Sequence, residues 1–243
     1  MAGPLEQFQI TPLVDGPVDA VAYTNSSLWM TITVVVITVF MVMGMSRREM
    51  VPGRWQSMAE AMYSFIGDMI RDNVGDEGRK FFPFIFTLFM FILFGNLLGL
   101  IPGSFTFTSH IIVTFSMALF VFVMVTLVGI AKHGLHFFSF FVPSGAPVLL
   151  YPLMIPIEII SYLSRPISLS VRLFANMMAG HTMLKVFASF VFGLGAVTAG
   201  VGGILPIAMM VALTGFEILV AFLQAYVFTV LTCLYLNDSL HLH

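Results

Sequence analysis

Long runs of apolar residues constrain this 243-residue chain more than any other feature of its sequence. Several of them approach or exceed the ~20 residues that a helix needs to cross the hydrocarbon core of a bilayer. Only 9% of the residues are charged and 59% are hydrophobic, whereas soluble domains carry roughly 25% charged residues. The sequence therefore predicts an all-α membrane protein, with residues 1–243 forming a single membrane domain.

The first part of the chain is predicted to contain three transmembrane helices and one helix on the membrane surface. The transmembrane helices are expected at residues 28–45, 81–101 and 111–130, of which the last two form a hairpin. Charged and apolar residues alternate over 54–73, at a spacing that gives the helix one apolar and one charged face. That pattern is typical of an amphipathic helix lying along the inner membrane surface.

Residues 150–192 and 204–236 form two apolar stretches that are too long for upright spans. At 1.5 Å per residue, about 40 helical residues reach about 60 Å, roughly twice the thickness of the hydrocarbon core. Each stretch must therefore break into two helices or cross the membrane at a steep tilt. Three prolines are positioned to break the first stretch, Pro152, Pro156 and Pro166, whereas the second has only Pro206 near its start. We favour a long, steeply tilted helical hairpin.

The distribution of charge predicts how the chain is oriented. Residues 1–27 contain acidic residues but no Lys or Arg, whereas Arg47 follows the first span and Lys132 follows the third. By the positive-inside rule, residues 1–27 form a tail on the outer side and the C-terminus is cytoplasmic. Since the tail lacks the basic residues of a signal peptide, the first span is expected to be retained.

Three kinds of binding site have no support in the sequence. Nucleic-acid binding is not expected. Six of the ten Lys and Arg fall between Arg47 and Lys80, and the rest of the chain has no basic segment. Nucleotide binding is not expected either, since the chain has no Gly-Lys-Ser/Thr phosphate loop. The single Cys233 excludes an internal disulfide, and His181 with Glu217 lacks further metal ligands at a suitable spacing. We therefore expect neither a metal nor a cofactor.

Polar and ionisable residues interrupt the last two apolar stretches: Glu158, Arg165, Arg172, Asn176, His181, Lys185, Glu217 and Gln224. Intramembrane ionisable residues usually face a bundle interior, a water cavity or a partner. Arg172 is the most demanding of them, because a guanidinium stays protonated and costs about 2.5 to 17 kcal/mol at bilayer depth. A structural ion pair or interhelical hydrogen bond remains an alternative for any single residue, but a purely structural role for the whole set is not expected.

Counting along the predicted hairpin arranges these residues in two layers. If the chain folds back at about residue 198, His181 and Glu217 differ in depth by about 3 Å, and Arg172 and Gln224 lie at equal depth. A His and carboxylate pair near the outer water suits proton transfer, and a permanent cation at depth suits a barrier. Helical phase puts His181 opposite Arg172, so the water path and the Arg172 surface are expected to be distinct.

Three segments resemble subunit a of the F-type ATP synthase. The segment SLSVRLFANMMAGH at 168–181 is similar to the signature of that family, GNLLGLIP at 95–102 to a second motif, and 217–224 to the pattern of its last helix. The resemblance covers nearly the whole chain. It implies a stator subunit of a rotary ATP synthase that is not an enzyme on its own. Such a subunit forms two proton half-channels and couples proton translocation to rotation of a ring of c subunits.

The resemblance also implies roles for individual residues. Arg172 matches the arginine that faces the proton-carrying carboxylate of the ring. The polar residues of the family's outer half-channel correspond here to Asn176, His181, Glu217, Gln224 and Asn96. The region of the inner half-channel corresponds to Glu158. Some bacterial members have Glu at the position of His181 and His at the position of Glu217. The arrangement in this chain is similar to that of alphaproteobacterial and mitochondrial members.

The implied partners are the c ring, b or b/b′ peripheral-stalk subunits, the rest of the F1Fo complex and the lipid bilayer. A bacterial inner membrane is expected, with the mitochondrial inner membrane as the alternative, because no transit peptide is recognisable. A self-contained proton-coupled transporter or channel is the competing hypothesis. Such transporters often show inverted repeats and broken helices, and no repeat is evident here. A purely structural anchor would leave Arg172 unexplained.

Overall fold

The fold is a bundle of helices, as seen in a computed structural model that describes residues 8–14, 23–46, 50–101, 103–134, 136–137, 150–197 and 201–241. Within these ranges, β1 (Pro12–Val14) and β2 (Tyr23–Thr24) form a small antiparallel ribbon. The α-helices are α1 (Asn25–Met45), α2 (Arg54–Val74), α3 (Phe82–Gly99), α4 (Ile111–His133), α5 (Tyr151–Val197) and α6 (Ile204–Leu240). All but α2 lie in segments long and apolar enough to cross a membrane, which confirms the predicted all-α membrane class.

Helix α2 packs along the bundle with one face and leaves the other exposed. Ile66 and Ile70 are fully buried in a cluster shared with α3 and α6, while Trp55 and Tyr63 remain exposed. At the other end, an ideal Cβ on Gly44 of α1 would lie only 2.8 Å from the Ala59 Cβ, so the glycine permits close approach of α1 and α2. The apolar face of α2 thus packs against the bundle, and its position at the inner membrane surface stays a prediction. The arginines at 47–48 lie outside the described residues.

Helix α5 continues unbroken through two of its prolines. A proline inside a helix removes one hydrogen bond and usually kinks or breaks it, yet Pro156 and Pro166 both lie within the 47 residues of α5. Helix α6 has 37 residues and follows a 3-10 turn at Val201–Gly203. Of the two alternatives for the long apolar stretches, the structure has the unbroken hairpin. Its tilt in a membrane stays a prediction.

The ends of α5 and α6 far from their connecting turn are joined by a cluster of charged and aromatic residues. Arg165 Nη1 lies 2.9 Å from Asp238 Oδ2. The same guanidinium lies over the rings of Tyr162 and Tyr235, at 5.3 and 4.9 Å from their centroids. The Tyr162 hydroxyl is 2.7 Å from Thr126 Oγ1, which adds α4 to the cluster. Arg165 therefore has its charge paired with Asp238, whereas Arg172 has no such pair in the part of the chain that the structure describes.

A polar cavity between the two long helices

A cavity of about 420 Å³ lies between α5 and α6. Most of its lining is apolar, but four polar side chains reach it: Asn176 and His181 from α5, and Glu217 and Gln224 from α6. These are four of the residues that the sequence singled out for proton transfer. A polar cavity of this size has room for water molecules.

Asn176 and Gln224 are joined directly across the hairpin. Asn176 Nδ2 donates to Gln224 Oε1 at 2.7 Å. The prediction that Gln224 lies level with Arg172 is therefore wrong by one helical turn, because Asn176 follows Arg172 by four residues. The pair 176 and 224 is centred on position 200 of the sequence, two positions after the 198 assumed in the prediction. The other end of the Gln224 amide, Nε2, is buried without a hydrogen-bond partner among the described residues.

Glu217 fits against α5 at a glycine. An ideal Cβ on Gly180 would lie 2.6 Å from Glu217 Oε1, so a larger residue at position 180 would displace the carboxyl group. Glu217 is only 7% exposed, and in the part of the chain that is described its Oε2 has no hydrogen-bond partner. Since burying an unpaired polar atom is costly, this oxygen is suited to bind water or a proton.

His181 contacts two other parts of the chain. Its Nε2 lies 2.9 Å from Thr106 Oγ1 in the loop between α3 and α4. The ring of Phe8, in the N-terminal segment, meets the His181 ring edge-on with centroids 6.3 Å apart. The N-terminal segment, which was predicted on the outer side, therefore meets the α3–α4 loop and α5 at His181. Sequence analysis missed both Thr106 and Phe8.

The α3–α4 loop is held against α3 by two glycines and an asparagine. Asn96 is fully buried, and its Oδ1 accepts a hydrogen bond from Thr108 Oγ1 at 2.9 Å. An ideal Cβ on Gly95 would lie 2.4 Å from the Phe107 ring, and one on Gly99 would lie 2.6 Å from Thr106 Cγ2. The motif at 95–102 therefore docks the loop that contacts His181. Asn96 itself is not part of the cavity lining. The run of hydroxyl residues at 106–109 was the available sequence signal for this loop.

Substituting Gly95 with valine is expected to destabilise this loop. The added side chain overlaps the buried Phe107 ring, and overpacking of this kind costs about 1 to 3 kcal/mol. We expect a lower unfolding temperature of the purified assembly and slower proton transport. Gly67→Ala in α2 is a matched control, since its Cβ would meet only Phe82 at 3.9 Å. Equal unfolding temperatures for the two variants would contradict the proposed docking.

Arg172 lies outside the cavity, on an exposed stripe of α5. Within the described ranges it makes no hydrogen bond or salt bridge that would neutralise it. The stripe continues through the small residues Ala175 and Ala179 to Met183. Ala179 and Met183 also line the cavity, so the cavity reaches the same face of α5 that carries Arg172.

Glu158 is not brought to the cavity. It lies on α5 fourteen residues before Arg172, about 21 Å along the helix axis, toward the end that carries the Arg165 cluster. Among the described residues, no group of three His, Cys, Asp or Glu is placed to hold a metal ion. The arrangement can hold water, accept and release protons at His181 and Glu217, and present the Arg172 cation at a surface.

Comparisons with known proteins agree along almost the whole chain. The family model described as ATP synthase A chain matches residues 27–237. The chain is 56% identical to ATP synthase subunit a of Paramagnetospirillum magneticum, over 100% of both chains. It is 58% identical to the subunit a of Parvibaculum lavamentivorans, over 98% of this chain and 93% of that protein. Subunit a of Rhodospirillum rubrum is 56% identical over 100% of both chains.

Proposed function

Because the chain belongs to the ATP synthase A chain family, it is the proton-translocating subunit in the membrane sector of an ATP synthase, and we propose that the polar cavity is its outer half-channel. It is a multi-pass membrane protein and not a catalytic subunit. The observation that supports the proposal is the set of four polar side chains around one cavity. Buried atoms of Glu217 and Gln224 there have no hydrogen-bond partner among the described residues.

Each polar residue of the cavity has a role suited to its chemistry. His181 and Glu217 are the proton carriers, because an imidazole titrates near neutrality and a carboxyl group can release a proton to a neighbour. Asn176 and Gln224 do not titrate, and their mutual hydrogen bond fixes amide groups that orient water. Asn96 contributes indirectly, because its hydrogen bond with Thr108 positions the loop that contacts His181.

Arg172 is proposed to act on a carboxylate of a neighbouring ring of c subunits. A fixed cation beside a carboxylate favours its ionised form and therefore promotes proton release. The small residues Ala175 and Ala179 on the same stripe permit close approach of another helix. Since Arg172 keeps its charge, it also blocks direct proton passage between the outer half-channel and an inner one near Glu158.

The remaining assignments are also proposals. The partners are the c ring, the b or b/b′ subunits and the rest of the F1Fo complex. The membrane is the bacterial inner membrane, with the N-terminus outside and the C-terminus in the cytoplasm. The 54 to 58% identity to several bacterial subunits supports this location. A self-contained transporter does not account for Arg172, whose charge has no counter-ion in the described part of the chain.

Thiol labelling tests whether the cavity holds water that is continuous with the outer side. Leu213 of α6 lines the cavity, whereas Val211 is 70% exposed on the same helix but does not line it. Cysteine at position 213 should react with a membrane-impermeant methanethiosulfonate added from outside, because the reactive thiolate forms only in water. Cysteine at 211 should stay unmodified, because the exposed surface there faces lipid.

The labelling uses the whole ATP synthase in intact cells, with the buried Cys233 replaced by alanine to remove background. Modification at 213 is also expected to block proton transport, which verifies that the labelled position lies on the path. Equal labelling at 211 and 213, or labelling at 213 only from the cytoplasmic side, would overturn the assignment of the outer half-channel.

A further inference from the structure

We propose that Thr106 determines which nitrogen of His181 takes up the translocated proton. Its hydroxyl accepts a hydrogen bond from Nε2–H, and this leaves Nδ1 as the basic atom of the ring. The inference rests on the proposed outer half-channel, in which His181 is a proton carrier. It adds a positioning residue, Thr106, that does not itself line the cavity.

The direction of the hydrogen bond follows from the number of protons available. A threonine hydroxyl has one proton to donate and two lone pairs that accept. Thr106 Oγ1 lies 3.0 Å from the carbonyl oxygen of Gly99, which can only accept. Ser104 Oγ also lies 2.9 Å from that carbonyl, but it is nearer to the carbonyl of Ile101, at 2.7 Å. Thr106 therefore donates to Gly99, and the 2.9 Å contact with His181 requires a proton on Nε2.

The position of Thr106 is well defined by its surroundings. The residue is 5% exposed, so bulk water does not compete for its hydroxyl. Gly99 is the last residue of α3, and its carbonyl has no partner in a following helical turn. A side chain at position 99 would overlap Thr106, whose Cβ would lie 3.0 Å from the new Cβ. The glycine thus supplies both the acceptor and the space for this contact.

Other titratable groups around His181 define what the free nitrogen can exchange with. Lys185 follows it by four residues on α5, and Glu217 of α6 lines the same cavity. On the α3–α4 loop, His110 stacks on Phe105 with centroids 5.2 Å apart. The N-terminal segment contributes the uncharged Phe8. Water in the cavity and the Glu217 carboxyl group are therefore the proton donors and acceptors available to Nδ1.

The proton balance of the step is simple. A hydronium ion from the outer side transfers one proton to Nδ1 and becomes water, and the ring becomes an imidazolium. Nδ1–H then passes that proton to the Glu217 carboxylate or to a water, which restores the neutral ring with its proton on Nε2. Thr106 accepts from Nε2–H in both states, and the bond is stronger in the charged state because the donor is then ionised.

Thr106→Val and Thr106→Ser form a matched pair for the test, since valine keeps the shape and serine keeps the hydroxyl. We expect ATP-driven proton pumping by the whole ATP synthase in vesicles to fall roughly tenfold with valine, as for the loss of a hydrogen bond to a charged group. Serine should restore most of the rate. With valine, the pH of half-maximal pumping should move to lower values, because the imidazolium loses its stronger hydrogen bond. An unchanged pH profile would contradict the role of Thr106.

Nitrogen NMR of the unsubstituted complex gives a readout that does not depend on any variant folding. With ¹⁵N-histidine in this subunit, the His181 signals are assigned by their absence in His181→Gln. At high pH we expect a protonated Nε2 and a bare Nδ1. A bare Nε2 would overturn this inference and leave the half-channel intact. Failure of thiol labelling at position 213, together with the expected NMR result, would instead overturn the half-channel.

Discussion

Arg172→Ala is expected to abolish proton pumping driven by ATP hydrolysis, while hydrolysis by the detached catalytic head continues. A guanidinium about 4 Å from a carboxylate contributes about 4 kcal/mol at an effective dielectric of 20, equivalent to roughly a thousandfold in an equilibrium constant. If Arg172 acts on a ring carboxylate as proposed, alanine removes this attraction. It also removes the charge that is proposed to keep protons from passing directly between the two half-channels. The variant should therefore leak protons in addition to failing to pump.

Pumping can be followed in inverted membrane vesicles by the quenching of a pH-sensitive dye, and hydrolysis by phosphate release from the stripped head. Ser168→Ala is the control, because Ser168 lies exposed on α5 one turn before Arg172 and carries no charge. We expect its pumping rate to match that of the unsubstituted protein. Normal coupled pumping by an assembled Arg172→Ala complex would refute the proposed role of the arginine.

Glu217→Gln is expected to have the second largest effect, a loss of proton translocation of about a hundredfold or more, as is typical when a positioned acid or base is removed. Glutamine preserves the shape that fits against Gly180 but cannot carry a proton. Within the cavity lining, Glu217 is the one carboxylate, so no other acid there can replace it. Glu217→Asp should retain intermediate activity, because its carboxyl group still titrates but is set back from α5.

The loss is best measured as the rate of passive proton flow through vesicles from which the catalytic head has been removed. Glu60→Gln is a suitable control, because Glu60 is an exposed carboxylate on α2 that bonds to Gln56 within its own helix. Its proton flow should equal that of the unsubstituted protein. If Glu217→Gln were to conduct protons as fast as Glu60→Gln, the proton path would have to avoid the cavity.

The helices of this protein were predictable because their signals are local. Apolar runs and one amphipathic segment indicated six helices from short-range patterns alone, and family resemblance added the identity of the polar residues. The sequence left two states open for α5, because Pro156 and Pro166 could have broken it, although the long hairpin was favoured. The structure has one continuous helix, which packs against α4 and α6. These tertiary contacts are not visible in a hydropathy pattern.

The site was predictable in its members but not in its contacts. Counting residues from a fold-back assumed at residue 198 paired Gln224 with Arg172. Moving that assumed position by two residues pairs Gln224 with Asn176, its observed hydrogen-bond partner. Thr106 contacts His181 across 75 positions of sequence, and no periodicity links residues so far apart. The sequence shows that positions 95, 99 and 180 are glycines. It does not show which side chains pack into the space that these glycines leave.

The cluster around Arg165 has a mechanical consequence. In the proposed assembly, a ring that turns against the exposed face of α5 would exert a sideways force on that helix. A helix of about 70 Å held only at the hairpin turn would be displaced by that force. The cluster joins the other end of α5 to α6 through Arg165, Asp238 and the two flanking tyrosines. A contact between Tyr162 and Thr126 joins it to α4 as well. Arg172 lies only two turns from this cluster, where a sideways force should displace α5 least.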